Sequence, residues 1–278
     1  MKREDEMFVL KKNGWKILLA VFVSALVDVI LHRLFAPRIE YNYSPSIFIE
    51  KGFFLPAVSI ALILWFGTLA IIFVLIQTNL SGTKMMKGLR FGIAFAVLCF
   101  LAILEMCLVF DSSLVDELCT STTDGLSILL LGLLLGSLTG TDSTVPSSRM
   151  KLNQKSFIVI PLIFLMGRYF GYMIINIMSA YSEKPIGTFL WTLGVGYWIA
   201  VMYWLLEETR KRSPMVQAVR FGVMIFGSYW LIYNSFVLLF LKLSIWNVFL
   251  RVIIDVLSIT VGIWIASKLS SKVAIGVD

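Results

Sequence analysis

Length, composition and charge already restrict the fold class. The chain has 278 residues, of which 59% are hydrophobic and only 15% are charged, and its mean hydropathy is +0.89. A typical soluble domain carries about 25% charged residues, so a single water-facing core cannot enclose this much apolar surface. The composition therefore predicts an all-α integral membrane protein whose outer surface faces the lipid bilayer.

The charged, cysteine and histidine residues exclude several classes of partner. A net charge of +7 would suggest a nucleic acid partner in a soluble protein. In a membrane protein it is typical of lysine and arginine in cytoplasmic loops, so no nucleic acid is expected. A closed zinc site of four soft ligands is not expected, because the three cysteines show no CxxC spacing and form no sequence cluster with the single histidine, His32. No metal and no cofactor are predicted.

Eight apolar stretches are long enough to cross about 30 Å of hydrocarbon. In chain order they are 15–35, 53–76, 89–110, 123–140, 156–178, 187–206, 218–241 and 247–268. The first is interpreted as a retained helix, because Asp28 interrupts its apolar run and no small-residue cleavage site follows. Residues 1–14 are predicted to form a cytoplasmic N-terminal segment, and residues 272–278 a cytoplasmic tail.

The distribution of lysine and arginine predicts the orientation. Of the 24 such residues, 17 lie at the two termini or in connections that follow even-numbered spans, and six lie on the opposite side. Cytoplasmic loops are enriched in these residues. The sequence therefore predicts a multi-pass protein of the cell membrane with both termini in the cytoplasm.

The two halves of the chain share short motifs, which indicates an internal duplication. Arg90-Phe91-Gly92 opens the third span, and Arg220-Phe221-Gly222 opens the seventh, 130 residues later. Asp124 in the fourth span and Asp255 in the eighth are each followed three residues later by a serine. We predict two parallel four-helix repeats, 15–140 and 156–271, related by a pseudo-twofold axis along the membrane normal and joined by a polar linker, 141–155.

Charged residues inside apolar spans are costly and usually face protein or water. Asp28 and Arg168 fall at equivalent places in the two repeats, so we predict that they approach across the pseudo-twofold axis as an ion pair. That pair either fixes the packing of the halves or belongs to a gate or a proton-coupled site.

Three acids complete the set of candidate charges. Asp124 follows two threonines and is predicted to cap a helix N-terminus. Asp255 is expected to pair with Arg251, one helical turn away. Glu105, with other acids of the first repeat, predicts an acidic outer mouth, which attracts cations, contacts the basic outer loops of the second repeat, or is simply solvated loop charge.

Small residues at four-residue spacing predict close helix packing. They are Gly132, Gly136 and Gly140 in the fourth span, and Gly167 and Gly171 in the fifth.

The sequence contains no recognisable catalytic motif, so no enzyme and no catalytic residue are predicted. The preferred hypothesis is a membrane subunit or regulatory scaffold that acts on a membrane protein partner or a second copy of the chain. The alternatives are a transporter or channel with its site between the repeats, and a lipid-modifying enzyme. A water-accessible cavity within the bundle that reaches Asp28, Glu105 or Arg168 would favour transport.

Overall fold

The structure is a computed structural model that describes residues 2–35, 43–142, 154–206 and 212–275. Within these ranges the chain forms helices and loops, with one isolated bridge between Pro45 and Leu241 and no strand. Most of the predicted linker 141–155 lies outside the described residues, as do residues 276–278 of the predicted tail.

Eight helices of the described chain are long and apolar enough to cross a membrane, which confirms the predicted number of spans. Labelled α1 to α8, they are Lys2–Phe35, Phe54–Gln77, Lys84–Val109, Leu114–Thr139, Ser156–Ile175, Pro185–Leu205, Pro214–Phe240 and Ile245–Ile275. Helix α3 is interrupted at Leu104, and α7 contains a π-helical segment, Val219–Gly227. A four-residue helix, Ile47–Glu50, precedes α2.

Helix α4 begins at Leu114, well before the predicted start at residue 123. Polar residues of this first part lower its hydropathy, which is why the sequence places it in a loop. In the structure, the hydroxyls of Ser121, Thr122 and Thr123 donate to backbone carbonyls one turn back at 2.7–3.1 Å, so the helix satisfies these groups itself. The prediction that Asp124 caps a helix N-terminus is therefore wrong, because Asp124 lies inside α4.

The helix neighbours of the first four helices recur in the last four. Helix α4 packs against α3 and α1, and α1 also contacts α2. Likewise, α8 packs against α7 and α5, and α5 contacts α6. The two groups meet through α2 against α7 and α3 against α6.

The contact between α3 and α4 is close enough to exclude side chains from part of it. A Cβ atom on Gly132 would lie 2.6 Å from the carbonyl oxygen of Gly88, and one on Gly136 would lie 2.8 Å from the carbonyl oxygen of Lys84. A Cβ on Gly140 would approach the same region of α3, at 2.8 Å from the Cβ of Lys84. This glycine seam lets the two backbones touch directly.

A second close contact joins α5 to α8. A Cβ atom on Gly167 would collide with Ser258, and one on Gly171 would lie 2.9 Å from a side-chain carbon of Ile254. The glycines of α5 thus make room for side chains of α8, whereas those of α4 make room for backbone.

The connections between helices lie at the two ends of the bundle. The loops 110–113, 176–184 and 241–244 lie at one end, called the distal end below. At the proximal end, the backbone N–H of Lys84 donates to Asp142 at 2.8 Å, and Arg220 donates to the carbonyl of Leu75 at 2.9 Å.

A backbone clasp ties the two halves together at the distal end. The N–H of Ser46 donates to the carbonyl of Phe240 at 3.0 Å, and the N–H of Lys242 donates to the carbonyl of Ser44 at 2.9 Å. The hydroxyl of Ser46 donates to the carbonyl of Leu239 at 2.5 Å. The clasp joins the chain before α2 to the α7–α8 connection.

Candidate functional site

A cavity of about 490 Å³ lies in the distal half of the bundle. It extends from the distal loops, at Leu243 and Met178, to Asp28 and Trp65 within the helices. Six helices line it: α1 and α4, which pack against each other, α2, α3 and α7, which lie at the interface between the halves, and α8. The volume falls within the range of about 300–1,000 Å³ that is usual for small-molecule sites. Two groups of ionisable residues line or adjoin this cavity.

The first group, called the carboxylate–histidine cluster, consists of Asp28 and His32 on α1 and Asp124 on α4. The Nε2 of His32 lies 3.2 Å from Asp124 Oδ1, and its Nδ1 lies 3.6 Å from Asp28 Oδ2. The side chains of Asp28 and Asp124 are only 3% and 14% exposed, whereas that of His32 is 34% exposed. All three residues line the cavity.

The second group, called the arginine cluster, consists of Arg168 on α5, Glu105 on α3, and Arg251 and Asp255 on α8. Arg168 is fully buried, with its Nη2 2.9 Å from Glu105 Oε1 and its Nε 3.2 Å from Asp255 Oδ1. Glu105 also accepts a hydrogen bond from Arg251 Nη1 at 3.1 Å. Two cations and two carboxylates thus neutralise one another at depth, as buried charges require.

Aromatic side chains enclose the arginine cluster. Tyr172 accepts a hydrogen bond from Arg168 at 2.7 Å and donates to Asp255 at 3.1 Å, and the indole of Trp230 donates to Asp255 at 2.8 Å. The guanidinium of Arg168 also lies over the rings of Tyr172 and Trp191, at 4.7 and 4.8 Å from their centroids. Rings on the faces of a guanidinium stabilise its charge through the cation–π interaction, so the cluster is both paired and sealed.

The predicted pair of Asp28 and Arg168 is wrong, since each residue has its partners within its own half or at Glu105. The reason is the helix arrangement: α1 and α5 pack against α4 and α8 of their own halves, while the halves meet through other helices. The predicted pair of Arg251 and Asp255 is also corrected, because Arg251 instead bonds Glu105 and the carbonyl of Met178.

Glu105 joins the two halves. It comes from the first half, and both of its partners, Arg168 and Arg251, come from the second. A more exposed pair, Lys184 with Asp111, also joins the halves at the distal end. These contacts bear on the predicted acidic mouth. Its residues Glu105 and Asp111 contact basic residues of the second half. The structure leaves Asp28 and Asp124 facing the cavity without an arginine or lysine contact among the described residues.

Sequence reasoning missed three residues that belong to these clusters or contact them: His32, Tyr172 and Trp230. A usable signal existed for two of them. His32 follows Asp28 by four residues, and Tyr172 follows Arg168 by four, which places each pair on one helix face. Nothing in the sequence alone points to Trp230, whose contact with Asp255 depends on the rotation of α7 against α8.

Tyr181, in the loop after α5, lies close to the arginine cluster. Its ring packs against that of Tyr172, at 5.9 Å between centroids, and its hydroxyl lies 3.0 Å from that of Thr192. Burial raises the pKa of Tyr181 to about 12. The phenol therefore stays neutral at physiological pH and adds no negative charge beside Arg168.

Aromatic rings close the cavity towards the proximal end. From the cavity floor, neighbouring rings form an aromatic column with centroid separations of 4.7–6.4 Å: Trp65, Tyr229, Phe95, Phe91 and Phe73. All five side chains are buried. The column includes residues of α2, α3 and α7, so it lies at the interface between the halves.

Comparison of the chain with protein-family models, with curated proteins and with solved structures found no match.

Proposed function

We propose that the chain is a multi-pass protein of the cell membrane that transports a small, positively charged solute through a site in its distal cavity. The eight apolar helices support membrane insertion. Their outward positions expose large apolar side chains, such as Leu55, Ile174 and Ile186, which are 76–80% exposed. In water such a surface would aggregate, whereas a bilayer provides the apolar solvent that it needs.

The proposed orientation places both termini in the cytoplasm and the distal cavity on the outer side. Its support is the excess of lysine and arginine at the proximal end, where 17 of the 24 are expected. Solute would then enter from outside the cell. Reporter fusions after Thr78 and after Ser112 should give opposite topology signals, with the second on the outer side.

The proposed pseudo-twofold arrangement of two parallel repeats is supported by equivalent contacts in the two halves. Asp28 adjoins Asp124, and their counterparts by motif spacing, Arg168 and Asp255, are also in contact. A Cβ on Gly92 would meet Leu129 at 3.1 Å, and one on Gly222 would meet Thr260 at 2.2 Å, again at matching positions. Repeat architectures of this kind place transport sites at the interface between repeats.

The cavity is the observation that carries the transport proposal. It reaches Asp28, Asp124 and Glu105, which lie inside apolar helices where an ionisable residue usually marks a solute or ion pathway. Because Arg168 and Arg251 already neutralise Glu105, the other acidic residues that line the cavity are Asp28, Glu117 and Asp124. A negative cavity selects a cation.

In this proposal the aromatic column keeps the proximal side closed while the distal cavity is open to the outside. Transport by alternating access requires the column to open and the distal cavity to close, by rocking of one half against the other. The π-helical segment of α7 lies beside the column, and Phe221, Ile225 and Phe226 of that segment are buried. Such segments are frequent at functional sites because their hydrogen-bond pattern departs from that of the α-helix.

The test is uptake into vesicles that contain the purified protein. Inward gradients of choline, ethanolamine, Na⁺ and Mn²⁺ are applied separately, and the resulting current is recorded on a supported membrane. We expect a saturable current for at least one cation. Asp124→Asn should lower it about tenfold or more, which corresponds to losing roughly 1.4 kcal/mol of binding.

Asp116→Asn is the matched control, because it removes the same charge from the same helix at a residue that does not line the cavity. It should leave the current unchanged. If no cation carries current and a second membrane protein co-purifies stoichiometrically in mild detergent, the transport proposal fails and the chain acts as a membrane subunit.

A further inference from the structure

The two clusters differ in where their positive charge comes from. In the second half, the guanidinium of Arg168 lies against Asp255. In the first half, the residues at the corresponding positions are both acids, Asp28 and Asp124, and the imidazole of His32 lies between them. The arginine cluster contains its own cations, whereas the carboxylate–histidine cluster has two buried carboxylates and no permanent cation.

The hydrogen bonds of His32 show where a cation is required. Its Nδ1 lies 3.0 Å from the backbone carbonyl oxygen of Asp28, an acceptor only, so Nδ1 carries a proton and donates it there. The other ring nitrogen, Nε2, faces Asp124 Oδ1 at 3.2 Å and Thr123 Oγ1 at 3.5 Å.

Thr123 presents a lone pair to this nitrogen, because its own hydroxyl proton is donated to the carbonyl of Thr120 at 2.7 Å. Three electron-rich atoms, on His32, Thr123 and Asp124, therefore converge. These atoms repel one another unless a proton or a bound cation lies between them.

Asp28 provides an independent sign of a missing partner. The residue is only 2% exposed, and its side-chain oxygen Oδ1 is buried without a hydrogen-bond partner. A buried carboxylate oxygen without a partner is costly, and this one belongs to a side chain that lines the cavity. An ion bound at the cluster would coordinate it.

We propose that Asp28, His32 and Asp124 bind a divalent first-row transition metal ion, such as Mn²⁺, Fe²⁺ or Zn²⁺, with its remaining coordination positions open to the cavity. The three ligand atoms lie within 4.8 Å of one another. Ligands on opposite sides of one such ion are about 4.2 Å apart at most, for bonds of about 2.1 Å, so small side-chain rotations close the site.

The ligand set determines the class of ion. An imidazole nitrogen disfavours Mg²⁺ and Ca²⁺, which prefer oxygen ligands. Two carboxylates and no thiolate disfavour soft ions such as Cu⁺. The hydrogen bond from Nδ1 to the carbonyl of Asp28 orients the ring, as outer partners of metal-bound histidines commonly do. Because only three ligands come from the protein, the ion has further coordination positions that water or a group of another solute would occupy.

This inference rests on the proposed function in one respect, since the ion must enter through the distal cavity and is then a candidate for the transported cation. Binding is nevertheless measured at equilibrium in detergent, without any transport. The probe is Co²⁺, whose visible absorption gains intensity when it leaves the hexaaqua ion for a site of lower coordination number. We expect one Co²⁺ per chain, displaced by Zn²⁺.

Two variants test the ligands. Asp28→Arg places a guanidinium beside Asp124, as Arg168 lies beside Asp255 in the second half. The variant should therefore fold, but it should bind Co²⁺ at least about 100-fold more weakly than the parent. A loss beyond about 100-fold exceeds what removing an outer partner of a ligand causes. His32→Asn removes the nitrogen ligand at a partly exposed position, and should weaken Co²⁺ to a similar extent even if Asp28→Arg fails to fold. Asp116→Asn should bind as the parent does.

The outcomes separate this inference from the transport proposal. If the parent protein binds no Co²⁺, or if folded His32→Asn binds it as tightly as the parent, a metal site at this cluster is excluded. If choline or another cation still carries current in that case, the transport proposal stands alone. If Co²⁺ binds at the cluster but no cation carries current, the metal site stands and transport fails.

Discussion

The arginine cluster centres on α5 and α8 and the carboxylate–histidine cluster on α1 and α4, and their energetics are opposite. In the first, Arg168 and Arg251 balance Glu105 and Asp255 among aromatic rings, with Arg168 completely buried. In the second, two carboxylates share one imidazole and face a cavity. The arginine cluster thus pairs its charges internally, whereas the carboxylate–histidine cluster leaves carboxylates that face the cavity.

The largest expected effect comes from removing the central cation of the arginine cluster. Arg168→Met leaves Glu105 and Asp255 buried with one cation fewer, and we expect a loss of about 3–5 kcal/mol in the free energy of unfolding. Thermal unfolding in detergent measures it. Arg33→Met, an exposed change at the distal end of α1, is the control. A loss for Arg168→Met no larger than for Arg33→Met would show that the cluster does not stabilise the fold.

A matched pair of substitutions then compares the two clusters directly. Asp255→Asn removes a partner of Arg168 and should lower stability by about 2–3 kcal/mol. Asp124→Asn at the corresponding position relieves repulsion between two acids, so without divalent metal it should be neutral or stabilise by up to about 1 kcal/mol. The same unfolding assay, run with a chelator, checks both. Equal losses for both variants would contradict the assigned difference between the clusters.

The glycine seam gives a smaller effect that is independent of charge. Gly132→Ala places a Cβ atom 2.6 Å from backbone atoms of α3, which cannot move aside as a side chain does. The helices must separate, and we expect a loss of about 1–3 kcal/mol. Gly67→Ala in α2 is the control, because a Cβ there meets nothing within 4 Å. That variant should be neutral or more stable by about 0.5–1 kcal/mol.

The smallest expected effect concerns the exposed link between the halves. Lys184 pairs with Asp111 and donates to the carbonyl of Cys107 at 2.9 Å, but a third of its side chain faces solvent. Lys184→Ala should cost about 0–1 kcal/mol, and added salt should reduce the difference from the parent protein. A loss comparable to that of Arg168→Met would mean that the distal loops, and not the buried cluster, hold the halves together.

Hydropathy and length were sufficient to predict eight apolar helices, because both depend only on local sequence. They failed at the start of α4, where Ser121, Thr122 and Thr123 bond to their own helix and so remain helical despite their polarity.

The partners of the buried charges could not be predicted from the sequence. Motif spacing places Asp28 and Arg168 at equivalent positions, but contact across a pseudo-twofold axis also requires their helices to meet there. The halves meet through α2, α3, α6 and α7, and this arrangement depends on packing over long sequence separations. Only the partners one helical turn away, His32 and Tyr172, were within reach of sequence reasoning.

The backbone clasp between Ser46 and the α7–α8 connection constrains how the halves can move. Its hydrogen bonds join main-chain atoms or a buried serine to main-chain carbonyls, so they resist changes in neighbouring side chains. Relative rotation of the halves must either break these bonds or turn about them. Turning about this fixed point would produce the least displacement at the distal rim and the greatest at the proximal end, so under the transport proposal the clasp is the pivot.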